Sequence, residues 1–469
     1  MKKPLSKIIT VLLTLLTPMF AFAADVDGAS LSLFWGIPFV GILLSIAIFP
    51  LIAPSVWHHH FGKITAAWSI AFLIPFAMSF GVEQTVASVI HALLAEYVPF
   101  IILLLALFTI SGGIFVQGNL HGSAKLNTAI LAIGTILASM MGTTGAAMLL
   151  IRPLLRANDN RKHKVHVVIF FIFLVANIGG GLTPLGDPPL FLGFLKGVDF
   201  FWTLEHMLLP VAISSVILLL VFYLLDSYYY KKEDEVTSGD PTPDSKLQIL
   251  GKMNFLLLIG VVAGVLMSGF WKPGITFDVM GTHVDLQNLV RDLFLLALAG
   301  VSLVITSKEI RAGNEFNWEP ILEVGKLFAG IFITIAPVIA ILRAGMDGQM
   351  SGLVGMVSDS NGMPINTMYF WMTGALSSFL DNAPTYLVFF NLASGDAIHL
   401  MNEFGTTLLA ISMGSVFMGA VTYIGNAPNF MVKSIATQQG VNMPSFFGYM
   451  KWSVGILIPL FLVLTVIFF

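Results

Sequence analysis

Asp187 and Asp381 lie inside long apolar stretches, each among helix-breaking neighbours. The first sits in Thr183-Pro184-Leu185-Gly186-Asp187-Pro188-Pro189 and the second in Asp381-Asn382-Ala383-Pro384-Thr385. An ionised carboxylate is expensive within a bilayer and is there usually functional. Two acids near a shared pocket can alternate between protons and a hard cation such as Na⁺. Oxygen ligands suit that cation, and burial brings a carboxylate's titration toward the working pH. Asp187 and Asp381 are therefore the candidate Na⁺ ligands, and competition of H⁺ with Na⁺ for one carboxylate is the simplest exchange mechanism. The competing assignment is structural: Asp187 stands just before a helix starting at Pro188, and Asp381 before one starting near Pro384, so each could be a helix cap.

Hydroxyls and amides gather around the same breaks: Thr143, Thr144, Asn177, Thr183, Asn382, Thr385, Thr422 and Asn426, with Asn391 a weaker candidate. A single Thr in a membrane helix more often bonds its own backbone; as a cluster these residues suggest a polar ion- or solute-binding site. Elsewhere the blander assignment prevails. His58-His59-His60 reads as an inward-facing loop and not a metal set, Arg152 and Arg343 can snorkel to an interface as readily as meet an anion, and Glu96 and Glu323 flank spans.

The elements that must position these groups follow from proline chemistry and repetition. Pro184, Pro188 and Pro189 cannot sit inside a continuous helix, because proline lacks the N–H and clashes with the preceding turn. The helix at 166–182 must therefore break and restart near Pro188, a favourable first helical position. Gly142-Thr143-Thr144-Gly145-Ala146 and Asp381-Asn382-Ala383-Pro384-Thr385 begin 239 residues apart, and so do Thr183-Pro184-Leu185-Gly186 and Thr422-Tyr423-Ile424-Gly425. Interrupted segments at corresponding places in two halves are the best sequence pointer to a transporter's binding site. Their freed N–H and C=O groups must be buried in protein or line a wet cavity.

Of the 469 residues, 57% are hydrophobic and 10% charged, with mean hydropathy +0.89. A soluble domain carries about 25% charged residues, so this chain is an all-α polytopic membrane protein whose direct partner is the lipid bilayer. A net charge of −3 gives no reason to expect nucleic acid, and the absence of cysteine excludes disulfides and thiolate metal sites. Spans are expected near 32–53, 64–80, 97–117, 206–226, 254–270, 291–306, 319–342 and 447–469. To these add re-entrant hairpins at 126–157 and 366–395 and broken helices at 166–197 and 404–436. The expectation is about 11 transmembrane helices, two hairpins and two broken helices in two inverted repeats, 24–226 and 253–469, joined by a cytoplasmic linker at 227–252. Residues 1–23 read as a signal peptide with Ala21-Phe22-Ala23 before the cleavage point, or else as an uncleaved first helix. Basic residues at 58–63, 161–164, 231–232, 308 and 311 fall inside by this topology, which obeys the positive-inside rule. It requires hairpin 126–157 to open toward the cytoplasm and 366–395 toward the outside. The chain is read as multi-pass in the bacterial inner membrane.

The run Asn177-Ile178-Gly179-Gly180-Gly181-Leu182-Thr183-Pro184-Leu185-Gly186-Asp187-Pro188-Pro189 resembles the corresponding stretch of the ArsB/NhaD-like group in the ion transporter superfamily, and Ser377 to Asn391 resembles that group's second hairpin tip. Within the group the chain is similar to bacterial proteins labelled sodium:proton antiporter or citrate transporter. The resemblance implies a scaffold with a moving transport domain, often in a homodimer. The chain departs from related patterns at Gly142-Thr143-Thr144, where divalent-anion symporters carry a Ser-Asn-Thr type motif, and at Leu190-Phe191-Leu192, where many relatives have an Asn.

The leading expectation is a secondary active transporter exchanging Na⁺ for H⁺, with no cofactor beyond those ions. The alternative is Na⁺- or H⁺-coupled transport of citrate or another carboxylate; arsenite efflux is a third. The predicted membrane core shows no nucleophile–base pair, phosphate loop or zinc pattern, which argues against an enzyme, and a channel leaves the paired hairpins without a purpose.

Overall fold

The computed structural model describes residues 27–118, 120–233 and 246–469. The segment read as a signal peptide lies outside the described residues, as does most of the polar stretch that follows Glu233. Among the described residues the architecture is all-α, with ten helices long and apolar enough to span a membrane and two small two-stranded sheets.

Burial varies widely among the helices. Only 22% of the apolar window of Pro54–Phe80 and 28% of that of Leu286–Ile305 is buried, against 89% for Val165–Leu182. A helix apolar all round but open on one side faces lipid, whereas one enclosed on all sides forms the centre of a bundle. Ile37–Ile52, Pro54–Phe80, Val82–Ser111, Met253–Phe270, Leu286–Ile305 and Glu319–Arg343 form the outer frame. The inner group comprises hairpin 1 (Ala124–Met141 and Thr143–Ala157), the first broken helix (Val165–Leu174, Ile178–Leu182, Pro188–Leu195), hairpin 2 (Asn366–Phe379 and Asn382–Leu392) and the second broken helix (Gly405–Met418, Gly419–Val421, Ala427–Gln438).

The inner elements pack reciprocally. The second arm of hairpin 1 lies against Ala427–Gln438, and the second arm of hairpin 2 lies against Pro188–Leu195. Each hairpin thus closes over the restarted half of the other broken helix. Hairpin 1 turns at Gly142, whose φ of +79° favours glycine.

Several boundaries differ from the sequence-based expectation. The first broken helix loses α-helical form after Leu174, ahead of the prolines. Asn177 turns its side chain back to donate to Ile172 O at 2.8 Å, and Gly179-Gly180-Gly181 has little helical preference. His58-His59-His60 lies within the helix Pro54–Phe80 and not on a loop, because Pro54 at its first turn starts the helix early. The span expected at 97 is preceded by the helix Val82–His91 and a π-helical turn at Ala92–Tyr97. At the 227–252 linker, helix Phe200–Tyr230 runs four residues beyond its expected end, and Gln248–Leu250 pairs antiparallel with Phe115–Gln117.

Candidate functional site

Four helices begin around Asp187, within hydrogen-bonding reach of its carboxylate. They are Thr143–Ala157, Pro188–Leu195, Asn382–Leu392 and Ala427–Gln438, and their first or capping residues are Thr143, Asp187, Asn382 and Asn426. Asp187 is the hub and is 1% exposed. Its Oδ1 accepts from Thr143 Oγ1 at 3.2 Å and from Asn426 Nδ2 at 3.1 Å, and its Oδ2 accepts from Asn382 Nδ2 at 2.6 Å. All three donors are neutral, and among the described residues no lysine, arginine or histidine pairs with it. What favours charge there is the set of donors and the positive ends of four helix dipoles.

The two aspartates part company in their local roles. Asp381 Oδ1 accepts from Ala383 N at 3.0 Å, a helix-capping bond, and its carboxylate interacts electrostatically with Asp187. Asp187 makes no side-chain cap bond to its own helix; its carboxylate turns into the cluster. Asn382, 1% exposed, leaves its Oδ1 without a partner, an oxygen beside Asp187 that no protein group uses.

Asn177 Oδ1 accepts from Asn426 Nδ2 at 3.3 Å, which joins it to the cluster. Thr183 and Thr422 do not reach Asp187. Thr183 Oγ1 donates to Ser139 O at 2.5 Å, and Thr422 Oγ1 donates to Ser378 O. Thr385 Oγ1 donates to Asp381 O at 2.9 Å within its own turn, and Thr144 is half-buried with no hydrogen bond to Asp187. Asn391 Oδ1 accepts from Arg343 Nε at 2.9 Å, away from the cluster.

Sequence reasoning missed Asn429. It is fully buried, accepts from Asn177 Nδ2 at 2.7 Å, and donates to Gly419 O at 2.8 Å and Thr422 O at 2.9 Å. It therefore stitches the two breaks together using carbonyls that broken helices leave open. Its place in the first turn after Asn426 is the signal that could have drawn attention to it.

The bonding pattern recurs at one spacing. Asp187 and Asn426, which bond each other, are 239 residues apart. Ser139 Oγ donates to Gly179 O at 2.5 Å, and Ser378 Oγ, displaced by that interval, donates to Met418 O at 3.0 Å, displaced by the same. The Thr183 and Thr422 bonds to Ser139 and Ser378 repeat likewise, as do the contacts of Leu185 N with Thr183 Oγ1 and of Ile424 N with Thr422 Oγ1, both 3.2 Å. Thr422→Val leaves a buried carbonyl short of its donor and is expected to lower stability by about 1–3 kcal/mol. Thr183→Val should cost a similar amount, read as a lowered Tm of the detergent-solubilised protein.

A family model described as "Putative citrate transport" matches residues 28–469. The chain belongs to this family. The chain is also similar to a 46 kDa membrane protein of Mycobacterium leprae, 23% identical over 343 residues that cover 72% of this chain and 75% of that protein. An uncharacterised transporter of Mycobacterium bovis is 22% identical over 340 residues, 71% of this chain and 73% of its own length. A third similar protein, an uncharacterised transporter of Mycobacterium tuberculosis, shows the same identity and coverage. Membership of the citrate-transport family and the ten apolar spans together make the chain a multi-pass membrane transporter of the kind found in the ArsB/NhaD-like ion transporter group.

Proposed function

We propose that this transporter exchanges Na⁺ for H⁺ at Asp187. The observation that carries the proposal is a fully buried carboxylate held by three neutral donors, with no basic partner among the described residues. A carboxylate fixed by an arginine is a closed ion pair, whereas this one is left to take a proton or a small cation. Protonation turns Oδ2 from an acceptor into a donor, and the Asn382 amide can answer by presenting Oδ1 in place of Nδ2. The same oxygen, beside Asp187, suits a bound Na⁺. One carboxylate then serves both ions in turn, which obliges them to exchange. Asp381 caps its helix and adds a nearby negative charge that attracts cations.

A second reading is coupled transport of a small carboxylate. Four helix N-termini at one place favour an anion, and the family's description names citrate. In that reading Asp187 holds the coupling cation, which offsets its repulsion of the substrate.

The recurrence of side-chain bonds at one interval supports two structural repeats, and the basic residues at 161–164 and 231–232 support an inverted arrangement in the bacterial inner membrane. The chain has no cysteine, so single cysteines can be introduced at exposed positions near the hairpin bases. Lys125→Cys should react with a membrane-impermeant maleimide only from the cytoplasmic side, and Ser394→Cys only from outside. Labelling of both from one side would defeat the inverted topology.

The functional test uses proteoliposomes with an internal pH dye. Added Na⁺ is expected to enter in exchange for protons and alkalinise the lumen. A protein that ignores Na⁺ alone but moves citrate would replace the first reading with the second.

A further inference from the structure

Arg152 lies on the second arm of hairpin 1, about 13 Å along the axis from Thr143 at 1.5 Å per residue. It is 6% exposed. Its Nη2 donates to Glu315 Oε2 at 2.8 Å, while Nε and Nη1 have no protein acceptor. Buried charged donors left without a partner are costly, and in native proteins such groups meet water or an ion. The setting sharpens that cost: Met148, one turn earlier on the same helix, packs with Phe108 and Ile321, and Phe316 follows Glu315.

Positive charge exceeds negative at this place. Arg156 is one turn further on, close enough for the two guanidinium charges to interact, and it spends one N–H on Val116 O at 2.7 Å. Glu315 is the acid that meets Arg152, with a side chain 61% exposed and a left-handed backbone at φ +51°. It stands as an example of the ligand the guanidinium accepts, a carboxylate arriving from the wet side.

We propose that Arg152, with Arg156 beside it, binds a carboxylate group of a small organic anion at the end of hairpin 1 remote from its tip. The proposal rests on the carboxylate reading of function and names a binding residue for it. Arginine is suited to the task because its planar fork matches a carboxylate, and two of its three nitrogens, buried in this structure, have no protein acceptor while Glu315 is bound. The location has a consequence for coupling. Thr143 at the start of this helix bonds Asp187, so an anion at Arg152 and a cation at Asp187 act on one continuous helix.

The test is calorimetric titration of citrate into the full chain in nanodiscs of zwitterionic lipid. Wild-type protein should bind citrate saturably, and Arg152→Gln should weaken binding on the order of tenfold or more. Arg152→Lys, which keeps charge and loses the fork, should fall between them. Glu315→Gln removes a competing carboxylate and should tighten binding several-fold. If Arg152→Gln does not fold, as judged by size-exclusion and Tm, the Lys and Glu315 variants carry the test, and wild-type affinity in both would overturn the proposal. Wild-type affinity in a folded Arg152→Gln protein overturns it as well. Loss of phosphatidylglycerol co-purifying with that variant in detergent, with citrate affinity intact in the nanodiscs, assigns the arginine to lipid phosphate and also overturns it. No citrate binding by the wild type would instead sink the carboxylate reading itself.

Discussion

Asp187→Asn is expected to reduce Na⁺-driven proton movement to the level of protein-free liposomes. The substitution keeps shape and removes the carboxylate on which Thr143, Asn382 and Asn426 converge. It also sets an amide against the Asn382 and Asn426 amides that now donate to the carboxylate at 2.6 and 3.1 Å. Loss of both the charge and the matched donors should leave no cation affinity, and an exchange rate lowered at least about a hundredfold corresponds to about 3 kcal/mol. Asp381→Asn is expected to do less, because asparagine caps a helix nearly as well as aspartate. Its effect should fall mainly on apparent Na⁺ affinity, through loss of a neighbouring negative charge. The internal-dye assay separates the two: residual saturable exchange in the Asp381 variant, none in the Asp187 variant. Equal residual rates would show that neither carboxylate is the obligatory carrier.

The largest structural effect is expected at the crossing of the broken backbones. A Cβ on Gly186 would lie 2.1 Å from Gly180 O, and a Cβ on Gly425 would lie 2.5 Å from Gly419 O. The obstacle in each case is main chain, so no rotamer change can relieve it. The two pairs occupy corresponding places in the two halves, so both breaks are built on the same close approach. Gly186→Ala and Gly425→Ala should each cost at least about 3 kcal/mol, the upper end for overpacking a close-packed interior, and reduce the yield of monodisperse protein. Gly455→Ala is the control: nothing lies within 4 Å of its added Cβ, and it stands inside the helix Phe446–Phe468, where alanine is the better helix former. Size-exclusion profiles and Tm decide the comparison. A Gly186→Ala protein with wild-type Tm would mean that the crossing can open without cost.

The broad architecture was legible because the bilayer imposes it: runs of apolar residues recur near spanning length, and clustered prolines at 188 and 189 mark a helix start. The neighbourhood of Asp187 was legible for the same reason, since its flanking prolines fix a helix start. The difference between Asp187 and Asp381 was not. Both precede helices, and only the tertiary partners turn one carboxylate inward and leave the other on its own backbone. Asn429, Ser139 and Ser378 escaped notice because their work is to satisfy carbonyls on other segments, 40 residues distant in the case of Ser139 and Gly179. Such bonds have no local signature. Thr183 and Thr422 were marked as ligands on type and spacing, yet they hold hairpin backbones. The His58 to His60 run showed the reverse limit: three adjacent polar residues read as loop, while the proline ahead of them had already begun a helix.

Equilibrium binding of ²²Na⁺ to the purified protein across a pH series tests the claim that one carboxylate serves both ions. On the acid side the apparent Kd for Na⁺ should rise about tenfold for each unit fall in pH, as expected for one proton displacing one cation, and Asp187→Asn should show no saturable binding at any pH. Unchanged, pH-independent Na⁺ binding in Asp187→Asn would contradict the account.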